Sequence, residues 1–170
     1  MQEYKRLKHT FEPVYDKNST ILILGSFPSV KSRENGFYYG HPQNRFWKVM
    51  GSIFEQDKDT LGGASIETKV KFLKKHKIAI WDVIDECDII GSSDSSIKNV
   101  IPSDINRIIH ESDIRKIYVN GKTAKSLYDK YCFENTKMEA EVLPSTSPAN
   151  AVYRLDDLID AWKIVWKTNS

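Results

Sequence analysis

The chain has 170 residues, of which 40% are hydrophobic, and its formal net charge is only +2. This length suits one domain with a sizeable core, so we expect residues 1–170 to form a single domain, and the near-neutral charge excludes a broadly basic coat protein for nucleic acid. The two cysteines and four histidines lack disulfide or metal-ligand spacing and no apolar run reaches membrane-spanning length, so we expect a cytoplasmic protein without metal, cofactor or membrane contact.

The hydrophobic pattern predicts alternating strands and helices along the chain. The predicted strands lie at residues 21–24, 78–81, 116–119 and 139–143. The first two are apolar without alternation, which is typical of strands covered on both faces. Apolar residues at helical spacing predict helices that begin near Asn44, Ile66, Ile105, Ala124 and Leu155. This order predicts an α/β fold, a three-layer α/β/α sandwich with a central four-stranded parallel sheet.

Polar segments follow each of the four predicted strands. They lie at residues 25–29 with 38–47, at residues 81–94, at residues 120–123 and at residues 144–150. The carboxyl ends of parallel strands meet at one edge of a sheet, so we expect these segments to form a single cleft. Residues 38–47 combine aromatic, amide and basic side chains, which suit a flat, uncharged ring bound next to a phosphate chain.

Familiar catalytic motifs are incomplete in these segments. The Asn-Gly-Lys-Thr run at residues 120–123 lacks the upstream glycine of a P-loop, which argues against a nucleoside triphosphatase. It is either a strand-to-helix turn or, through Lys122 at a helix start, a contact for one phosphate. Residues 25–29 lack the second glycine of a serine-hydrolase elbow. The pattern places His9, His76 and His110 away from the loops, which leaves His41, most simply a turn residue.

The aromatic residues near the second segment fall into two groups. Phe46 and Trp47 repeat at helical spacing and are predicted to be core residues. Phe37, Tyr38 and Tyr39 precede glycine and proline in a predicted loop, where periodicity gives no reason for burial. One of these three is a candidate for stacking on a base.

Four sequence blocks together resemble the uracil-DNA glycosylase superfamily and, within it, the hypoxanthine-DNA (deoxyinosine) glycosylases. The blocks are Gly-Ser-Phe-Pro-Ser at 25–29, Tyr-Tyr-Gly-His-Pro-Gln-Asn-Arg-Phe-Trp at 38–47, Trp-Asp-Val at 81–83 with Gly91, Ser92 and Asp94, and Leu-Pro-Ser-Thr-Ser-Pro-Ala-Asn at 143–150. They occur in family order over nearly the whole chain. The resemblance implies hydrolysis of the bond between a deaminated base and its deoxyribose, with the nucleotide flipped out of the duplex and no metal or cofactor.

The resemblance implies a catalytic role for Asn44. Many members of the superfamily place a water-orienting Asp or Asn two residues after the first glycine, where this chain has Phe27. In the hypoxanthine branch this role passes to the asparagine of the His-Pro-x-Asn block, which is Asn44 here. An amide would hold the water by accepting one of its hydrogen bonds, but it is a poor base, so the reaction would be largely dissociative. The alternative is that Asn44 only bonds local backbone at a helix start.

Other roles follow for residues in the same blocks. The expected base-binding residues are Ser26, Phe27, Tyr39, Asp82 and Asn120, and the expected DNA-binding residues are Lys122, Ser145, Thr146 and Ser147. Tyr39 would stack on the flipped base, and backbone amides at Ser26 and Phe27 would contact the base edge or the sugar. Asp82 is either a pocket residue or a helix-cap acid. Asn120 would contact the base or a phosphate.

The expected partner is DNA that contains deaminated bases, bound by a monomer that excises hypoxanthine. Three alternatives stay open from the sequence. One is a glycosylase for uracil or for thymine mismatches, and another is a non-catalytic binder of deaminated DNA, which the Phe27 departure favours. The third is a hydrolase of free nucleosides or nucleotides.

Overall fold

The computed structural model describes residues 3–169, which form two β-sheets and seven α-helices. The strands are β1 Lys5–Lys8, β2 Ile21–Gly25, β3 Ile78–Asp82, β4 Ile84–Ile89, β5 Lys98–Pro102, β6 Lys116–Asn120 and β7 Ala140–Leu143. The helices are α1 Val30–Asn35, α2 Phe46–Glu55, α3 Ile66–Lys75, α4 Ile105–Glu111, α5 Lys122–Tyr131, α6 Phe133–Thr136 and α7 Leu155–Asn169. Short 3-10 turns lie at Leu61–Gly63 and Asp94–Ser96.

The central sheet has four parallel strands in the order β3-β2-β6-β7. Every residue of β2 and β3 is buried. Successive side chains of a strand point to opposite faces, so both faces of these two strands must be covered by other elements. The predicted α/β fold with a four-stranded parallel sheet is therefore confirmed, and each predicted strand lies within one residue of the observed one.

Helices cover this sheet and complete its core. The helices α2 and α7 pack side by side, and the rings of Phe46 and Trp162 meet edge to face with centroids 5.8 Å apart. The helix α3 packs on β3, and α5 packs on β6 and β7. Phe46, Trp47 and Trp162 are almost wholly buried, as predicted for the first two.

A second sheet, which the sequence pattern did not predict, extends from the end of β3. It is antiparallel in the order β1-β4-β5. Residues 81–94 were expected to form one polar segment after the strand, but β3 continues to Asp82 and β4 spans Ile84–Ile89, so only Val83 and residues 90–94 lie outside these strands. The strand β4 mixes buried residues (Ile84, Cys87 and Ile89) with half-buried acidic residues. Such a mixed pattern does not predict an apolar strand.

The N-terminal segment links the two sheets. Val14 pairs with Ile80 in an isolated antiparallel bridge on β3. The backbone N–H of His9 donates to the carbonyl of Asp85 in β4, at 2.7 Å. The segment therefore covers the outer edge of β3, which would otherwise expose unpaired backbone groups. It also carries His9 to the carboxyl end of β3.

Three further local features differ from the sequence expectations. The helix α2 begins at Phe46, so Asn44 lies in the preceding turn. The helix α1 was not predicted; Ser29 caps it by accepting a hydrogen bond from the N–H of Ser32. Phe37 and Tyr38, for which periodicity gave no reason for burial, are buried core residues, because their rings pack on Trp47 and Phe11.

Candidate functional site

A cleft of about 340 Å³ lies at the carboxyl ends of the parallel strands. The four polar segments all contribute to it, as the parallel sheet predicted. Its lining consists of Gly25, Ser26, Phe27, Pro28, Ser29, Ser32, Tyr38, Tyr39, His41, Asn44, Asp82, Ser92, Asp94, Asn120, Ser145, Thr146, Ser147, Pro148 and Ala149. Only two carboxylates and one histidine stand among these residues, and neither Lys nor Arg does. The cleft is therefore mainly a surface of amides, hydroxyls and aromatic rings.

The floor of the cleft requires a glycine at the end of β2. A Cβ atom at Gly25 would lie 2.6 Å from Oδ1 of Asp82 and 3.3 Å from Oη of Tyr39. The next residue, Ser26, donates from Oγ to Oδ1 of Asp94 at 3.1 Å. Phe27 is buried, with the guanidinium of Arg33 5.7 Å from its ring centroid. The position at which the resemblance implies a polar side chain in many family members is thus an apolar wall here.

Asn44 is held by a directed chain of hydrogen bonds from the last polar segment. The N–H of Thr146 donates to Oδ1 of Asn120, so the amide nitrogen of Asn120 is the atom that donates to Oγ1 of Thr146. The hydroxyl of Thr146 then donates to Oδ1 of Asn44 at 2.9 Å. The N–H of Phe46 donates to the same Oδ1, also at 2.9 Å.

Both acceptor positions of Oδ1 in Asn44 are therefore filled. The expectation that Asn44 holds a water by accepting its hydrogen bond does not fit this arrangement. The local backbone bond to Phe46 considered as an alternative is present, together with the long-range bond from Thr146. The amide nitrogen of Asn44, which has two N–H groups, is the part left to face the cleft.

Tyr39 lies in the cleft with its backbone in the left-handed region, at φ 55°. One side of its ring rests on Phe46, with centroids 4.0 Å apart. Its buried Oη has no hydrogen-bond partner among residues 3–169. Burial raises the pKa of this hydroxyl, the charge of Asp82 raises it further, and the side chain of Asn120 acts in the opposite direction. Tyr39 is therefore a neutral ring that lines the cleft, with its hydroxyl buried.

The sequence expectation for His9 is wrong. Its Nε2 lies 2.7 Å from Oδ2 of Asp82, and both side chains are almost wholly buried. The ring packs among Phe11, Phe27 and Tyr38, and Nδ1 has no partner in the described part of the chain. Because Nε2 must donate to the carboxylate, His9 fixes Oδ2 of Asp82, and only Oδ1 is directed to the cleft. Asp82 is a cleft residue and not a helix-cap acid.

Arg45 holds the last polar segment beside Asn44 and was not predicted as a site residue. Its guanidinium donates to the carbonyls of Ser147 and Asn150 at 2.7 and 3.0 Å, and to those of Thr146 and Tyr153. Its backbone N–H also donates to the carbonyl of Thr146. An arginine has enough donors in one plane to bond several carbonyls at once. The only sequence signal was its place next to Asn44.

Asp94 is a second carboxylate of the cleft, and it too was missed as a site residue. It stands at the exposed rim, where its Oδ1 accepts the hydrogen bond from Ser26. Surrounding protein displaces water from this carboxylate and raises its pKa, while the Ser26 hydrogen bond acts in the opposite direction and the charge of Asp82 adds to the rise.

The remaining expected residues divide between the cleft and its surroundings. Ser145, Thr146 and Ser147 line the cleft, and Gly121 adopts φ 97° where a Cβ would lie 3.1 Å from Cβ of Ser145. Lys122 is exposed at the first turn of α5 and is not part of the cleft lining.

The ligands for a resident metal ion are not gathered anywhere in residues 3–169. No group of three His, Cys, Asp or Glu side chains in that range has the geometry to hold one. Cys87 and Cys132 are free and buried, and burial raises the pKa of each thiol to about 11. Among the described helices, none has the length and apolar character needed to cross a membrane.

Comparison with known proteins finds relatives over most of the chain. A family model described as the uracil DNA glycosylase superfamily matches residues 12–167. A hypoxanthine DNA glycosylase from Methanosarcina barkeri is 35% identical over 147 residues, which cover 84% of this chain and 88% of that protein. One of the same name from Methanosarcina acetivorans is 36% identical over 145 residues, which cover 85% of this chain and 89% of that protein.

The fold also has a solved counterpart. The solution NMR structure of a Methanosarcina acetivorans protein, described as a candidate uracil DNA glycosylase, superimposes with a TM-score of 0.78 and 33% identity. The match covers 94% of this chain and 96% of that one. Sequence and fold agree, and the chain belongs to the uracil DNA glycosylase superfamily.

Proposed function

We propose that this protein is a DNA glycosylase that hydrolyses the N-glycosidic bond of deaminated bases in DNA, with hypoxanthine as its main substrate. The relatives named hypoxanthine DNA glycosylase support the substrate, since each matches more than four fifths of the chain. The observation that carries the proposal is the cleft itself, in which Asn44, Tyr39 and Asn120 offer amide and ring surfaces without a cationic side chain. Such a lining suits an uncharged base extruded from a duplex.

Asn44 acts in this proposal as a hydrogen-bond donor to the leaving base. As the bond to the sugar breaks, negative charge develops on the base and positive charge on the deoxyribose. Fixed donors stabilise the departing base most when they need no reorientation. The bonds that Oδ1 of Asn44 accepts from Thr146 and Phe46 hold the amide, so that Nδ2 is directed without further ordering.

The other roles extend the same proposal. Tyr39 stacks on or bonds the base, Asp82 and the backbone at Ser26 and Phe27 contact its edge, and Asn120 supports the network. Hydroxyls and amides of residues 145–147, with Lys122 beyond the cleft, contact phosphates. No lysine lines the cleft, so no Schiff-base nucleophile is at hand and the enzyme is monofunctional, without strand cleavage. We propose a monomer that acts in the cytoplasm.

The test is incubation with duplex oligonucleotides that carry inosine or uracil opposite each normal base, followed by alkali. Hypoxanthine release is expected, with uracil as a second substrate. Strand breaks should arise only after alkali, and free deoxyinosine should not react. Binding to the inosine duplex without base release, at enzyme in excess, would establish the non-catalytic alternative and refute the glycosylase.

Uracil or mismatched thymine as the main substrate is the second candidate. The observation that favours it is the name of the solved structural relative. Comparison of single-turnover rates on inosine and uracil duplexes separates the two candidates directly. A uracil rate above the inosine rate would overturn the substrate assignment and leave the reaction class intact.

Asn44→Ala is the variant that tests the catalytic residue. We expect its single-turnover rate to fall about 100-fold, the usual loss for one preorganised donor. Asn106→Ala is a matched control, because Asn106 lies on α4 and its amide donates to the carbonyl of Asn135, outside the cleft. A folded Asn44→Ala protein with the wild-type rate would show that another residue carries this role.

A further inference from the structure

This inference rests on the proposed reaction, which has two chemical requirements that no residue discussed so far meets. A glycosyl cation needs a negative charge near the sugar, and the attacking water must give up a proton. Phe27 cannot meet either need. Nor can Asn44, because both acceptor positions of its Oδ1 are occupied and its amide nitrogen only donates. A carboxylate elsewhere in the cleft would meet both needs.

Two carboxylates line the cleft, and their surroundings differ. Asp82 lies on the floor at the end of β3, is almost wholly buried, and has one oxygen fixed by His9. Asp94 stands on the exposed rim, between the Gly91 turn and the first polar segment. A base that fills the cleft would meet the floor, whereas its sugar and the solvent water would meet the rim. Position therefore selects Asp94 for the chemistry at the sugar.

The orientation of Asp94 is also fixed by the structure. Its Oδ1 accepts the hydroxyl hydrogen of Ser26, the residue next to Phe27, at 3.1 Å. No described residue donates to its other oxygen. The turn that carries it is tied to the cleft, because the N–H of Val30 donates to Oγ of Ser92 and the guanidinium of Arg33 donates to the carbonyl of Gly91.

We infer that Asp94 is a catalytic residue that stabilises the cationic deoxyribose and accepts the proton of the attacking water through its free carboxylate oxygen. The bond from the sugar C1′ to the base nitrogen breaks, and its electron pair leaves with the base. Water oxygen bonds to C1′ and gives one proton to Asp94. The base takes a proton from solvent, and Asp94 returns its own to solvent, so the products are the free base and an abasic deoxyribose.

The ionisable groups around Asp94 favour this role. Surrounding protein displaces water from the carboxylate of Asp94, and the charge of Asp82 at the end of β3 repels it. Both effects raise the pKa of Asp94 and make it a stronger base than an ordinary aspartate. Arg33 on α1 is bonded to the carbonyl of Gly91 in the same loop, and its ring partner is Phe27. His41, in residues 38–47, is the third ionisable side chain of the cleft lining besides Asp82 and Asp94, apart from the tyrosines.

The experiment compares Asp94→Asn, Ser26→Ala and wild type in single-turnover excision of hypoxanthine across pH. Asp94→Asn is expected to lose about 100-fold or more in rate and to lose the acid limb of the profile, which reports ionisation of a catalytic carboxylate. Ser26→Ala keeps the carboxylate but removes a hydrogen bond that lowers its pKa, so its acid limb should move to higher pH.

Asp160→Asn is the charge-matched control, since Asp160 is exposed on α7 and pairs with Lys163 outside the cleft. Wild-type rate and profile are expected for it. Equal rates for Asp94→Asn and Ser26→Ala would mean that Asp94 only anchors the rim through Ser26, and would overturn the inference. Should Asp94→Asn not fold, an unshifted acid limb in Ser26→Ala would overturn it as well. Inactive wild-type protein would instead refute the proposed function.

Discussion

The buried pair of His9 and Asp82 shows how a residue far away in sequence shapes the candidate base pocket. The two are 73 positions apart and meet because the N-terminal segment covers the edge of β3. His9 also precedes the residues matched by the family model. Its hydrogen bond leaves Asp82 with one free oxygen, so the pair presents a single fixed acceptor to the cleft.

Replacing His9 tests this arrangement. His9→Ala leaves a buried carboxylate without its partner, which should lower the free energy of unfolding by about 1–3 kcal/mol or more and reduce excision. His9→Gln keeps an amide donor within reach of Asp82 and should recover part of both losses. Urea unfolding and single-turnover rates measure the two effects. Equal stability of His9→Ala and wild type would contradict the buried hydrogen bond.

Thr146 is the residue that directs the amide of Asn44. Thr146→Val preserves shape but removes a hydroxyl that both accepts from Asn120 and donates to Asn44. We expect a loss of about 1–3 kcal/mol in stability, because buried polar groups lose their partner, together with slower excision. Thr146→Ser keeps the hydroxyl and is the matched comparison. Similar excision rates for the valine and serine variants would show that the chain of hydrogen bonds does not act on Asn44.

Residue roles that sequence reasoning missed share one physical cause. His9, Arg45 and Asp94 act through partners 68 to 108 positions away, and local pattern carries no such information. Asn44 and Tyr39 were named because of the family resemblance, and Asp82 because it follows a buried strand. Their roles in the reaction remain predictions.

At the scale of elements, the parallel sheet was predictable and the antiparallel sheet was not. The strands β2 and β3 are continuous apolar runs, because helices or neighbouring segments cover both faces. The strands β1 and β5 are short and largely exposed, so no hydrophobic pattern marks them. Once four parallel strands were expected, their topology alone predicted that the candidate site lies at the carboxyl ends of the strands.

The last polar segment is an element whose shape depends on Arg45. The guanidinium bonds three carbonyls of this segment and the carbonyl of Tyr153 beyond it, and the single ammonium group of Arg45→Lys cannot replace all of these bonds. We expect weaker binding of the inosine duplex, about tenfold in Kd, which corresponds to about 1.4 kcal/mol. Arg154→Lys, at an exposed position before α7, is the matched control and should bind normally. Unchanged duplex affinity for Arg45→Lys would show that the segment keeps its shape without the guanidinium.

At the scale of the whole molecule, the rim carboxylate that we assign to catalysis opposes folding. The pKa of Asp94 is raised in the folded state, so folding favours its protonated form. The stability that the protonated carboxyl group contributes is fully present below the unfolded pKa of about 3.9. It is lost as the pH rises through the higher folded pKa. At neutral pH, the ionised carboxylate therefore lowers the free energy of unfolding.

Asp94→Asn should accordingly be more stable than wild type at pH 7, even though it is expected to be less active. The difference should disappear in acid, where the wild-type carboxyl is protonated in both states. Asp88 provides the opposite case, because Asn99 and Arg6 donate to it and lower its pKa. Asp88→Asn should therefore be less stable than wild type at pH 7, again with no difference in acid. Urea unfolding at several pH values measures both. If Asp94→Asn is instead less stable than wild type at pH 7, the hydrogen bond from Ser26 stabilises the ionised carboxylate more than desolvation and the charge of Asp82 destabilise it. Asp94 would then contribute to folding and not oppose it.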